Sequence, residues 1–78
     1  MRTPIEQYII DRVREKRKEM KISQLDLAYA LGFESQSYIS SIETPNSKND
    51  ESYNVNHLNT IAKLLKCSPR DFWPDYPL

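Results

Sequence analysis

The sequence predicts an all-α protein, a compact bundle of five helices. Three observations carry that expectation. Apolar residues recur at helical spacing along most of the 78 residues. A capping residue stands before each such stretch: Thr3, Ser23, Ser35, Asn54 and Ser68. No segment alternates in the two-residue period of a strand, and there is no repeat or low-complexity stretch.

The first helix starts at Thr3-Pro4-Ile5-Glu6, with Thr3 as cap, Pro4 at the first helical position and Glu6 completing a capping box. Ile5, Tyr8, Ile9 and Val13, with Lys16 and Met20 further on, share one face, so the helix runs to about Met20. Ile22 is a buried link into Ser23, which caps the second helix with Asp26 as its box-like partner. Leu27, Ala28 and Leu31 form that helix's apolar stripe, and Gly32 supplies the left-handed residue that ends it. Ser35 caps the third helix, where Ile39 and Ile42 face inward and Gln36, Ser37, Ser40 and Ser41 face out. Thr44-Pro45 stops it, because proline disfavours helical geometry in the residue before it. Residues 46–53 read as a polar loop without periodicity. Asn54 caps the fourth helix, whose stripe is Val55, Leu58, Ile61, Ala62 and Leu65. The fifth is short: Ser68 caps, Pro69 opens, Asp71 completes the box, Phe72 and Trp73 pack, and Pro74 ends it. Residues 74–78 form a tail.

Two short helices joined by a tight turn, over about 23–43, form the most informative segment. Its pairs, Gln24, Leu27-Ala28, Leu31-Gly32, Ile39-Ser40 and Ile42-Glu43, are weak signals singly and strong together at this spacing. The segment resembles the helix-turn-helix of the Xre/Cro family, the phage-repressor type of bacterial DNA-binding domain, and the resemblance extends over roughly residues 10–73. It implies a lambda-repressor-like DNA-binding fold and a transcriptional regulator that reads double-stranded DNA as a dimer on a pseudo-palindromic operator; the length of 78 residues by itself points to a single domain over 1–78.

On that resemblance the helix at about 36–43 enters the major groove. It buries two isoleucines and offers only small or amide side chains outward, so it meets base edges without obstruction. Gln36, Ser37 and Ser41 are the base-contacting candidates. Gln24, Ser35, Ser40 and Lys48 are the phosphate-contacting candidates, since contacts that set register come from helix termini and loops. A generic solvated face would carry Lys or Glu instead, and the run 35–42 has no charge at all. Family members pair an Arg late in the first helix with the Glu that ends the reading helix. Arg17 and Glu43 occupy those positions as a structural ion pair rather than site residues.

Charge argues the other way. Eleven Lys and Arg balance eleven Asp and Glu, whereas a DNA-binding domain often carries a basic excess. Residues 1–21 hold seven basic and four acidic side chains; residues 22–60 hold one basic and five acidic. Attraction to phosphate is therefore expected to be weak and salt dependence shallow. Arg12, Arg14, Lys16, Lys18 and Lys21 admit two readings, phosphate contacts or a solvated face with Glu15 and Glu19 as i,i+4 partners. The solvated face is favoured for most of them.

Departures from the family pattern are specific. The turn after Gly32 is one residue longer, with Glu34 as the extra. Lys21 stands where glycine is frequent, Thr44-Pro45 replaces the usual glycine after Glu43, and the loop to the fourth helix is longer. Two rival functions follow: an antitoxin of the same fold, which would also hold a toxin, and a protein-interaction module without DNA binding.

Catalysis has no footing. No Ser-His-Asp order, glycine-rich phosphate loop or carboxylate pair is present, and His57 and Cys67, the only histidine and cysteine, lack neighbours at metal-ligand spacing. The expectation is no enzyme, no metal and no cofactor. One cysteine forms no internal disulfide, and no apolar run spans a bilayer, so a cytoplasmic protein with no membrane partner is expected. Phe72, Trp73 and Tyr76 crowd one short segment, which points to a homodimer surface there.

Overall fold

The computed structural model describes residues 2–44 and 51–78. Four α-helices appear in chain order: α1 (Pro4–Glu19), α2 (Gln24–Ala30), α3 (Ser37–Glu43) and α4 (Val55–Leu65). The expected fifth helix is instead a single 3-10 turn, Pro69–Phe72. Four residues between two prolines leave no length for an α-helical ladder. The class is all-α, as the spacing predicted. Among the described residues no helix is long and apolar enough to cross a membrane.

The helix starts follow the sequence closely. Thr3 accepts from the Glu6 N–H while Glu6 accepts from the Thr3 N–H at 2.9 Å, a complete capping box. Donors to its carboxylate, the Thr3 N–H foremost and then the Ser52 and Thr3 hydroxyls, lower the Glu6 pKa. Ser52 Oγ donates to the same carboxylate at 2.8 Å, and Arg2 Nε donates to the Glu51 carbonyl at 3.0 Å. Those two bonds tie the start of α1 to the segment leading into α4. Ser23 accepts from the Asp26 N–H, Asn54 from the His57 N–H, and Ser68 forms a box with Asp71.

The helix ends show why glycine matters at some positions and not others. Gly32 has φ +89°, and Lys21 and Lys66 have φ of 58° and 55°. In each case the next residue's N–H reaches back to close the helix: Ile22 to the Arg17 carbonyl, Phe33 to that of Ala28, Cys67 to that of Ala62. Lys21 thus does glycine's work in a left-handed conformation, at some steric cost.

α2 packs against α3 and α4, and α1 packs against α3, α4 and the 3-10 turn. Ile10, Val13, Leu27, Ile39, Ile42, Ile61 and Phe72 are fully enclosed at the centre. Several expectations need correcting here. Ile10 is buried, while Met20 is 44 % exposed. Because α1 faces three elements at once, its apolar band is wider near the middle and stops before its last turn. Val55 is exposed at the open first turn of α4, so the stripe begins at Leu58. Trp73 lies outside the core that holds Phe72, since the chain turns extended there. Tyr53, placed above in the polar loop, is buried.

Candidate nucleic-acid interface

α3 is anchored from below by a buried ion pair. Arg17 Nε donates to Glu43 Oε2 at 2.9 Å and Arg17 Nη2 to Glu43 Oε1 at 2.7 Å, a two-point contact. Arg17 Nη1 also donates to the Ile22 carbonyl at 2.8 Å. One guanidinium therefore fixes α1, the linker before α2 and the end of α3 together. Ile39 and Ile42 lock the same helix into the core.

A second anchor lies at the turn between α2 and α3. Phe33 stacks on Tyr38 with ring centroids 4.5 Å apart, and His57 of α4 meets both rings edge-on at 5.9 and 5.8 Å. Tyr38 Oη donates to the Ser52 carbonyl at 3.3 Å. Burial, and secondarily the Glu51 carboxylate, raise the Tyr38 pKa. Sequence reading passed over this cluster, although Phe33 and Tyr38, five residues apart across the turn, offered a visible cue. His57 carries no local signal of its part in it.

Above these anchors lies an uncharged surface. Gln36 and Ser37 are exposed; Ser40 and Ser41 are half-buried, so the outward face is narrower than four equally exposed positions. The cap of α3 also sits one residue later than expected. Gln36 occupies the cap position without a side-chain bond, and α3 proper begins at Ser37. Ser35 still accepts from the Ser37 N–H at 3.4 Å and donates to Ser37 Oγ at 3.2 Å. The longer turn with Glu34 shifts the frame by one. At the other end Thr44 Oγ1 donates to the Ser40 carbonyl at 2.6 Å, closing the helix in place of glycine.

Gln24 is half-buried, and its Nε2 donates to Glu43 Oε1 at 3.1 Å. The amide thus leans on the ion pair and keeps a second hydrogen for another acceptor. A cleft of about 310 Å3 opens beside it, lined by Arg14, Arg17, Lys18, Gln24, Glu43 and Thr44. Lys48 lies outside the described residues. Of the expected i,i+4 pairs on α1, the structure shows instead an i,i+3 pair, Arg12 with Glu15 at 2.6 Å. Among the described residues no group of three or more His, Cys, Asp or Glu is placed to hold a metal ion.

The family model described as Helix-turn-helix matches residues 13–44. That segment is similar to the helix-turn-helix of the Xre/Cro-like family. The match takes in the C-terminal part of α1, all of α2 and α3, and both anchors' residues on those elements. It supports a DNA-binding helix-turn-helix regulator. No curated protein and no solved structure matches the chain.

Proposed function

We propose that this protein is a sequence-specific regulator of transcription of the Xre/Cro type, which lays α3 in the major groove of duplex DNA. The observation that carries the reading is the two-sided character of α3. Ile39, Ile42 and Glu43 are buried and held from α1, while the opposite side is uncharged and small apart from Gln36. A helix held this firmly with no charge outward suits close approach to base edges. Gln36 offers a donor and an acceptor in one plane, the pattern that matches adenine. Ser37 and Ser41 are the accompanying base contacts, and Gln24, Ser35, Ser40 and Lys48 the phosphate contacts.

One helix of this length reads only a few base pairs, so useful affinity calls for two subunits on half-sites about one turn, ~34 Å, apart. Trp73, Tyr76 and Leu78 are all exposed and offer apolar area for that two-fold contact. The same exposed face favours a second reading, an antitoxin that also holds a toxin. Sedimentation of the intact protein and of the chain without residues 74–78 separates the two: a dimer lost on truncation assigns the face to self-association, and a monomer leaves it for another protein.

Selection of bound duplexes from a random pool tests the main reading. The expected result is an enriched inverted repeat. A pool with no enriched sequence would overturn sequence-specific binding.

A further inference from the structure

We propose that the cleft between the C-terminal half of α1 and the start of α2 seats a DNA backbone phosphate, with Arg14 and Lys18 as its cations. The inference rests on the DNA-binding reading and extends it to two residues for which the charge pattern of the sequence alone favours a solvated face.

The acids near the cleft already have hydrogen-bond or ion-pair partners. Asp11 Oδ1 accepts from Gln7 Nε2 at 3.0 Å, and Glu15 is held by Arg12. The Glu43 carboxylate, its side chain only 2 % exposed, accepts twice from Arg17 and once from Gln24. Arg14 approaches Glu43 Oε1 no closer than 3.9 Å, a loose ion pair beyond hydrogen-bond range, and its side chain stays 44 % exposed. Among the described residues Lys18 has no ion-pair partner. Within the lining of this cleft Arg14, Arg17 and Lys18 thus meet a single carboxylate, an excess of two positive charges, while Asp11 and Glu15 line the adjoining cleft on the other side of Arg14 and Lys18.

Position adds to charge. Arg14 and Lys18 are four residues apart on α1 and share a face, with Arg17 turned inward between them. A phosphate oxygen in the cleft would have a guanidinium on one side and an ammonium on the other. The second amide hydrogen of Gln24 adds a neutral donor. The balanced charge of the whole chain conceals this local surplus. Phosphate attraction then comes from α1, while α3 reads sequence without charge.

Salt dependence gives the test. Each phosphate neutralised changes the slope of log affinity against log salt by about 0.9, so two cations in each of two subunits account for about 3.6. Arg14→Gln with Lys18→Gln is measured on the duplex enriched by selection and on a random-sequence duplex of equal length. The expected result is a slope shallower by about 3.6 and the same fold-loss on both duplexes. Lys63→Gln with Lys66→Asn removes two charges on and just beyond α4 and is expected to leave the slope unchanged. Arg14→Lys alone is expected to retain it, because charge rather than side-chain shape is at issue. Should the double variant fold poorly by circular dichroism, Lys18→Gln alone carries half the effect. A folded variant with the wild-type slope overturns the phosphate seat and leaves DNA binding standing. Wild-type protein that binds neither duplex defeats the reading and the seat together.

Discussion

Removing either partner of the Arg17–Glu43 pair should cost far more than removing both. Arg17→Met deletes both bonds to Glu43 and the bond to the Ile22 carbonyl. The carboxylate left behind keeps Gln24 and has Arg14 within reach, which places the loss near the lower end of the ~3–5 kcal/mol typical of a broken buried pair. Glu43→Leu strands a guanidinium whose remaining bond goes to the Ile22 carbonyl, so its loss belongs near the upper end of that range. The double variant leaves no buried charge. Its main deficit is the Ile22 carbonyl bond, worth about 1 kcal/mol. At ~0.05–0.15 kcal/mol per residue the whole domain has only ~4–12 kcal/mol to lose, so the singles should be conspicuous. Urea denaturation followed by circular dichroism measures all four proteins in one cycle. Single losses near 1 kcal/mol that add in the double variant would refute the reasoning, for they would mean that the pair is effectively solvated.

Gln36→Ala should weaken binding to the selected duplex by ~1–3 kcal/mol and barely change binding to random duplex, measured by anisotropy titration. Lys66→Gly, at φ 55°, should raise stability by up to about 1 kcal/mol in the same urea assay, since glycine adopts this conformation without steric cost. Burial first, and the Glu43 carboxylate second, push the Tyr53 pKa far above its ordinary 10.0, so its neutral form is the one the fold holds. That contribution is complete below pH 10 and is lost as pH rises beyond it, by up to about 1.4 kcal/mol per pH unit. Tyr53→Phe should flatten alkaline unfolding. It should be neutral or stabilising at pH 7, because the Tyr53 hydroxyl is buried without a hydrogen-bond partner among the described residues. Tyr38 and Cys67 shift in the same direction and will leave some alkaline slope in the variant. Deleting residues 74–78 and replacing Trp73 by Ala should convert a dimer to a monomer in sedimentation. A surviving dimer of folded chains places the interface elsewhere.

Local signals in this sequence translated well into structure wherever the cause was itself local. Thr3 with Glu6, Ser23, Asn54, and Ser68 with Asp71 all cap as their spacing implied, because a cap needs only the next three residues. Ile39 and Ile42 face inward for the same reason of period. What escaped was decided at a distance. Ile10 is enclosed because three elements converge on α1, and Tyr53 because the chain entering α4 passes over the core. Neither fact is written in neighbouring residues. The cleft shows the limit for function as well. In the sequence Arg14 and Lys18 are ordinary members of a mixed-charge helix, and only the tertiary partner of Glu43, Arg17, sets them apart.

The Phe33–Tyr38–His57 cluster bears on how the motif could be used in isolation. Two of its rings lie within residues 13–44, and the third arrives from α4. The same division runs through the core, where Leu27, Ile39 and Ile42 belong to one cluster with Leu58, Ile61, Leu65 and Phe72. α2 and α3 are seven residues each, far below the length at which a helix holds itself in water. The stretch recognisable by family pattern is therefore smaller than the stretch that folds. A peptide spanning 13–44 would be a disordered chain, and grafting the reading head onto another protein would require α4 and the 3-10 turn to travel with it.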